Sequence, residues 1–187
     1  PQKGSNIRKK GEDVRKHKTI FKKKTKLRIV DVCQLSSTGI KTVKVIRKIK
    51  VGIFSTGDEL QNFSQRKKKY LIYDSNRLVL SLMLQKLNCD VIDLGIIKDD
   101  ESETMQKILG IIDNVDLIIT SGGISSSSID KVSSFIKKNG KLKFWKLAIK
   151  PGRPMAFGNV KNKTIIGLPG NPVATIVTFL MLVTTYI

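Results

Sequence analysis

The chain has 187 residues and a formal charge of +20, from 35 Lys and Arg against 15 Asp and Glu. Hydrophobic residues make up 40% and charged residues 27%, which excludes a disordered chain and predicts a globular domain. One histidine and two distant cysteines exclude a zinc centre, a histidine-based triad and a disulfide framework as working hypotheses.

The positive charge on its own would suggest a nucleic-acid partner. However, the basic runs RKK, KKK and RKKK are scattered along the chain, and only 6% of the residues are aromatic, so stacking platforms for bases are scarce. Lys, Ile, Asn and Ser are used heavily throughout. We therefore attribute the charge to the codon bias of an AT-rich genome and predict no nucleic-acid partner.

Residues 1–47 show weak periodicity and form the most basic part of the chain. The segments GEDV (11–14) and IRKIK (46–50) suggest short extended pieces, and VDVCQLSSTGI (30–40) suggests a short helix. We expect this segment to lead in from an adjacent domain. The chain begins with Pro1 rather than Met and stops inside an apolar run, which predicts a fragment truncated at both ends.

Residues 48–187 alternate strand and helix patterns. The predicted strands are 51–56, 90–97, 115–123, 144–149, 154–158 and 163–168, and the predicted helices are 74–88, 101–113, 129–138 and 172–187. Asn139-Gly140 is expected to close the third helix with Gly140 in the left-handed conformation. Asn171 and Pro172 stand in the order typical of a helix N-cap and first turn. This alternation predicts a three-layer α/β domain with a mainly parallel sheet.

No membrane partner is predicted. The apolar stretch 173–187 contains four threonines and is too short to span a bilayer, so we interpret it as a buried helix. The isolated thiols Cys33 and Cys89 indicate a reducing cytoplasm.

Three loops follow predicted strands, at the edge where parallel sheets bind ligands. They are STGDEL (55–60), SGGISSSSID (121–130) and GLPGNP (167–172). Gly122 and Gly123 suit close backbone approach to an anion at a helix N-terminus, with Asp130 in the first turn of that helix. The same residues also fit a plain turn in which Ser127 or Ser128 caps the helix, and the two interpretations stay open.

Other charged residues stand near the same predicted strand ends. Lys146, Lys150 and Arg153 lie within eight positions and could hold oxyanions or form a solvated basic edge. Asp99 and Asp100 could bind a divalent cation or simply begin a loop. Trp145 could belong to the core or cover a flat ligand.

Together these segments resemble the molybdopterin molybdenumtransferase family, which includes bacterial MoeA and the gephyrin E domain. The residues that carry the resemblance are, in order along nearly the whole chain, GEDV at 11–14, STGDEL at 55–60, IYDSNR at 72–77, LGIIKDD at 94–100, SGGIS at 121–125, FWKLAIKPGRPMAFG at 144–158 and GLPGNPVATIVTF at 167–179. Seven motifs in register make the resemblance specific.

The resemblance implies that residues 48–187 form a molybdopterin-binding domain. It implies insertion of molybdenum from molybdate into adenylylated molybdopterin with release of AMP, assisted by Mg²⁺, in a protein that is a homodimer at full length. By position, Glu12, Asp99 and Asp130 match family acids, and Asp99 and Asp130 are the expected metal ligands. The residues expected to bind substrate are Ser121, Gly122, Gly123, Ser125, Lys146, Lys150, Arg153, Pro169, Gly170, Asn171 and Pro172.

Two departures from the family pattern keep alternatives open. Ser126, Ser127 and Ser128 stand where the family usually has a hydrophobic residue, a glycine and an acid. The elongated N-terminal region and β-rich C-terminal domain of the family are also missing. The alternatives are a molybdopterin adenylyltransferase-like enzyme and a non-catalytic molybdopterin-binding module; the segment 144–172 favours the transferase over the adenylyltransferase.

Overall fold

The structure is a computed structural model that describes residues 2–122 and 126–187, and of residues 126–130 it describes only the helical backbone. The chain divides into two compact units, Pro1–Ile46 and Arg47–Ile187. In the first unit the predicted helix is present as α1, Ile29–Ser37, and Gly39 follows with φ +77°. The extended piece predicted at 11–14 is wrong: these residues lie in turns, where Gly11 has φ +81°.

The second unit contains the strands and helices that the periodicity predicts. In chain order they are β1 Lys50–Thr56, β2 Leu60–Gln61, β3 Ile72–Tyr73, α2 Ser75–Lys86, β4 Asp90–Ile97, α3 Glu101–Ile111, β5 Leu117–Gly122, α4 Ser126–Asn139, β6 Gly140–Trp145, β7 Ala156–Val160, β8 Lys163–Leu168, α5 Pro172–Thr178 and α6 Thr184–Tyr186. Of the extended piece predicted at 46–50, only Lys50 belongs to a strand.

Within the described residues, the main sheet has six strands in the order β4-β1-β5-β8-β7-β6. The first four strands are parallel, β7 runs antiparallel to β8, and β6 runs antiparallel to β7. Each parallel crossover is made by a helix, as parallel pairing requires. The predicted α/β class with a mainly parallel sheet is confirmed.

Helices cover both faces of this sheet and give two separate hydrophobic cores. On one face the α3 and α4 residues Ile108 and Phe135 pack with Phe54 and Ile118 of the sheet. On the other face Leu80 and Leu84 of α2 pack with Ile53 of β1 and with Phe179, which follows α5. Strand β5 is buried along its whole length, as expected of a central parallel strand.

Three predicted boundaries are wrong for local backbone reasons. The strand predicted at 144–149 ends at Trp145, because Lys146 has φ +71° and turns the chain. Gly140 begins β6 and does not take a positive φ; a Cβ there would come within 1.9 Å of the Asn159 carbonyl oxygen. Glycine is needed at this position because the neighbouring strand approaches closely.

The third boundary is the start of α4. The predicted helix began at Ile129, but α4 begins at Ser126, so the serine run forms its first turn. Asp130 is therefore the fifth residue of the helix. It lies beyond the first turn, so the predicted position in the first turn is wrong.

The last helical segment is only partly the buried helix that was predicted. Asn171 caps α5 through a hydrogen bond from the Ala174 N–H at 3.2 Å, and Pro172 is the first helical residue, as predicted. Phe179 and Val183 are buried, but Leu180 and Met181 are exposed. No helix in the described part of the chain combines the length and apolar character that a membrane crossing requires.

At the amino edge of the sheet a bidentate ion pair fixes the entry into β1. Arg47 donates from Nη1 and Nη2 to the Asp116 carboxylate at 2.6 and 2.7 Å, and the Lys50 N–H donates to the same carboxylate at 2.9 Å. These hydrogen bonds, with that of Arg47 the strongest, hold the pKa of Asp116 well below its usual range.

The two leucines of α2 give a direct test of the packing. Leu84 is fully buried, whereas 56% of Leu82 is exposed on the same helix. Leu84→Ala should lower the free energy of unfolding by about 3 kcal/mol, because it leaves a cavity against the sheet. Leu82→Ala should change it by about 0.5 kcal/mol or less. Urea unfolding of both variants checks this; equal losses would contradict the described orientation of α2.

Asp116 gives a test of pH dependence. Because its pKa is lower in the folded than in the unfolded chain, its contribution to stability is complete above the unfolded pKa and is lost as the pH falls through the folded value. Asp116→Asn should cost about 1 kcal/mol at neutral pH, a value kept small by the exposure of Arg47. The difference from wild type should shrink below about pH 4.

The measurement for Asp116 is urea unfolding at neutral and acidic pH. Asp113→Asn is the matched control, since Asp113 is exposed and 3.8 Å from its partner Lys161. A stability difference for Asp116→Asn that grows on acidification would contradict the assignment.

Candidate functional site

The register of the sheet places the candidate residues at one edge. Thr56, at the end of β1, pairs with Ile97 of β4 and with Gly122 of β5, and Ser121 pairs with Leu168 of β8. Since β6 and β7 are antiparallel neighbours beyond β8, the end of β6 and the start of β7 fall at this same edge. The loops after residues 56, 97, 122, 145 and 168 therefore surround a single region.

Asp99 lies beside two charged neighbours in this region. Its N–H donates to Oδ1 of Asp58 at 3.1 Å, which joins the loops after β4 and β1. Lys131 of α4 donates from Nζ to the Asp99 carbonyl oxygen and lies 3.8 Å from Asp99 Oδ1. That carboxylate oxygen is buried and has no hydrogen-bond partner among the described residues.

The second predicted loop is described only in part. Gly122 ends β5 at the edge, buried beside Thr56. Gly123, Ser125 and the side chain of Asp130 lie outside the described residues, so their predicted roles stay predictions. The backbone places the N-terminus of α4, a helix of 14 residues, directly after this loop. Its free N–H groups and positive dipole end suit an anion.

Ser121 was predicted to bind substrate, and the structure places its hydroxyl inside the fold. Its Oγ is buried, 3.3 Å from Ser55 Oγ, and Ser55 Oγ lies 3.0 Å from the Asp74 carboxylate. A carboxylate can only accept, so the single proton of Ser55 goes to Asp74. It follows that Ser121 is the donor to Ser55, and its hydroxyl has no second proton to offer an anion.

Beneath the edge lies a buried charge network that the sequence analysis missed. Arg77 donates from Nε to Asp74 at 2.8 Å and from Nη1 to Asp93 of β4 at 2.5 Å, and its N–H donates to Asp74 Oδ1 at 3.2 Å. Burial alone would lower the pKa of Arg77, but its hydrogen bonds to Asp93 and Asp74 raise it overall, so the guanidinium stays charged. Asp74 and Arg77 both belong to the motif IYDSNR, which the sequence analysis used only for the family resemblance.

The basic segment forms a tight turn with free cations. The Lys146 N–H donates to the Met155 carbonyl at 3.0 Å, and the Leu147 N–H donates to the Arg153 carbonyl at 2.7 Å. Lys146, Lys150 and Arg153 are exposed, and none of them has an acidic partner among the described side chains. Uncompensated cations at the carboxyl edge can bind an anionic ligand.

Glycine and tryptophan residues shape this turn. Gly152 has φ +115°, and a Cβ there would lie 2.5 Å from Thr178 Cγ2, so a side chain is excluded on both grounds. Trp145 is half-buried, with Lys146 Nζ 4.0 Å from the centroid of its ring. Its indole N–H is buried and finds no acceptor in the described part of the chain.

The third loop is held by hydrogen bonds from two helices. Thr175 Oγ1 donates to the Pro169 carbonyl at 2.5 Å, and Asn76 Nδ2 donates to the Gly170 carbonyl at 2.7 Å. Asn171 is used as the cap of α5. These hydrogen bonds fix the conformation of the loop at the edge of the sheet. The predicted role of Pro169, Gly170 and Asn171 in binding a ligand stays a prediction.

Glu12, the remaining predicted catalytic residue, belongs to the first unit. There its carboxylate accepts a hydrogen bond from the Lys9 N–H at 2.7 Å. Among the described side chains, no group of three acidic, histidine or cysteine residues could hold a metal ion. The described part of the edge thus brings the Asp58 carboxylate to the Asp99 N–H, and the cationic turn lies at the same edge of the sheet.

Known proteins are similar to this chain over most of its length. A family model described as a probable molybdopterin binding domain matches residues 52–187. The chain is 44% identical over 183 residues to a molybdopterin molybdenumtransferase of Haemophilus influenzae and 32% identical over 208 residues to a gephyrin of Dictyostelium discoideum. These matches cover 98% and 96% of the chain but 45% and 29% of those relatives, so the chain spans less than half of their length.

A solved structure gives the same result. The structure of a molybdopterin biosynthesis MoeA protein from Pyrococcus horikoshii matches with a TM-score of 0.83 and 34% identity, over 92% of this chain and 43% of that one. A molybdenum cofactor biosynthesis protein B matches with a TM-score of 0.55 and 19% identity over 75% of the chain, which shows a common fold alone. The resemblance carried by the seven motifs is confirmed.

The buried charge network predicts that replacing Arg77 strongly lowers the stability of the protein. Arg77→Met should lower the free energy of unfolding by about 3 kcal/mol, because it leaves the Asp74 carboxylate buried without its counter-charge. Lys138→Met is the control: Lys138 pairs with Glu101 at 2.5 Å but both side chains are largely exposed, so about 1 kcal/mol or less is expected. Urea unfolding measures both, and similar losses would show that the network is not a buried charge pair.

Proposed function

The chain belongs to the family described as a probable molybdopterin binding domain, and from this premise we propose that the complete protein inserts molybdenum from molybdate into adenylylated molybdopterin and releases AMP. The relatives named molybdopterin molybdenumtransferase at 44% and 32% identity support this reaction. The observation that carries the proposal is the sheet edge itself: within the described residues, Asp99 Oδ1 accepts no hydrogen bond and the basic turn at the same edge has no acidic partner.

The substrate has chemical parts that suit the groups of this edge. Its pyrophosphate and the molybdate dianion are multiply charged and need fixed cations or N–H donors. Lys146, Lys150 and Arg153 supply exposed cations, and the α4 N-terminus supplies N–H groups. Trp145 packs against the core with Lys146 over its ring, and so positions that cation in the turn.

The residues present fit a magnesium ion shared with the substrate. Mg²⁺ is usually bound by one or two carboxylates together with substrate phosphates and water. Asp99 offers a buried carboxylate oxygen that no described residue bonds, and Asp130 is the predicted second ligand. A bound magnesium ion supplies positive charge at the phosphoanhydride oxygens. Asp99 would hold the ion, and the basic turn would orient the phosphates for the departure of AMP.

A second candidate is a non-catalytic module that binds molybdopterin. The serine run favours it, because Ser126–Ser128 form the first turn of α4 where the family pattern has other residues. The two candidates differ in turnover: the module would bind the adenylylated substrate without releasing AMP.

The setting of the reaction is also a proposal. Cys33 and Cys89 are separate thiols, which supports a reducing cytoplasm. We further propose a homodimer at full length and no nucleic-acid partner. Binding to a nucleic-acid phosphate backbone weakens steeply as the salt concentration rises. An affinity for adenylylated molybdopterin that changes little with salt would therefore support the absence of a nucleic-acid partner.

Molybdate-dependent release of AMP by the full-length protein tests the function. Wild type should release AMP, and Asp99→Asn should lower the rate by roughly 10- to 100-fold, because a ligand of the cation is lost. Asp113→Asn should leave the rate unchanged, since Asp113 is exposed and lies four residues before β5, on the side of its amino end. Binding without any AMP release by folded wild-type protein would select the non-catalytic module instead.

A further inference from the structure

Lys131 is placed to neutralise Asp99. Its ammonium group donates to the Asp99 carbonyl oxygen and lies 3.8 Å from Oδ1, beyond hydrogen-bond distance of that oxygen. About a quarter of the Lys131 side chain and a fifth of the Asp99 side chain are exposed, at 26% and 21%. Lys138 of the same helix also pairs with an acid, Glu101 of α3, but both of those side chains are largely exposed.

The ammonium group of Lys131 lies close to the Asp99 carboxylate but does not donate a hydrogen bond to Oδ1. A carboxylate that is shielded from water without a counter-charge lowers the stability of a protein by several kcal/mol. A nearby cation is therefore expected in the unliganded state. Lys131 provides that charge from the side of the Asp99 carbonyl, while Oδ1 accepts no hydrogen bond from any described residue. A divalent ion that binds Oδ1 must therefore sit near a like charge.

We propose that Lys131 is a built-in counter-ion that weakens the binding of a free divalent cation to Asp99, so that the cation is taken up together with a phosphate-bearing ligand. Repulsion between the ammonium and the cation disfavours the cation alone. A phosphate group at the same edge reverses the balance, because it bonds the cation and can also accept a hydrogen bond from Lys131. This inference rests on the proposed function only in taking Asp99 as a cation ligand.

The first experiment titrates Mn²⁺ alone into the full-length protein and follows bound ion by electron paramagnetic resonance. Lys131→Met keeps the length of the side chain and removes the charge, and it should tighten Mn²⁺ binding about tenfold. Lys131→Arg keeps the charge and should stay close to wild type. Lys138→Met, on the same helix, is the matched control and should not change the affinity.

The second experiment repeats the titration with inorganic pyrophosphate present. Pyrophosphate should tighten Mn²⁺ binding more in wild type than in Lys131→Met, because only wild type has the repulsion to relieve. Unchanged or weaker Mn²⁺ binding by folded Lys131→Met would overturn the proposal, as would Mn²⁺ binding by neither protein. Should Lys131→Met not fold, Lys131→Gln is measured in its place under the same criteria.

The two proposals fail separately. Loss of AMP release from the full-length wild type would remove the proposed function, while tighter Mn²⁺ binding by Lys131→Met would still establish Lys131 as the counter-ion. Equal Mn²⁺ affinities in an active protein would remove the role of Lys131 and leave the function in place.

Discussion

The parallel register of β1 with β5 is the constraint on which the site depends. Strand β1 lies between β4 and β5, and its last residue, Thr56, pairs with the last residues of both neighbours. A slip of one residue would exchange the two faces of a buried strand and is therefore strongly disfavoured. Since the register is fixed, the loops after β4, β1 and β5 must begin side by side. The hydrogen bond from the Asp99 N–H to the Asp58 carboxylate is a direct result of it.

The buried polar groups below the edge and the exposed groups above it have different tasks. Asp74 accepts hydrogen bonds from Ser55 and Arg77, and Arg77 continues to Asp93, so β1, α2 and β4 are joined by one chain of bonds. The charge of Arg77 is balanced within the fold by these two acids. Among the described side chains, the cations of the basic turn have no acidic partner, which suits them to an anionic ligand. A fixed floor beneath free charges is the arrangement expected of a preorganised site.

The sequence was sufficient for the order of the elements, and insufficient where distant backbone or side chains decide. Local signals such as Asn171-Pro172 predicted the start of α5 correctly, because the cap is made within four residues. Gly140 was assigned a helix-end conformation, although it is the approach of Asn159 from another strand that requires glycine there. The pairing of Arg77 with Asp93 spans two elements and leaves no local spacing to detect. Long-range contacts of this kind are absent from any periodicity.

The large net charge of this chain also shows why position matters more than number. Among 35 basic residues, most are exposed and scattered, and salt screens their contributions at distances beyond about 8 Å. Lys131 differs because its side chain and that of Asp99 are both mostly shielded from solvent, so the charge acts with weaker screening on the buried oxygen Oδ1. Under the proposal that Asp99 binds a cation, Lys131 therefore opposes that cation at one carboxylate oxygen. The pair of Lys131 and Asp99 would then stay neutral until a ligand that satisfies both charges binds.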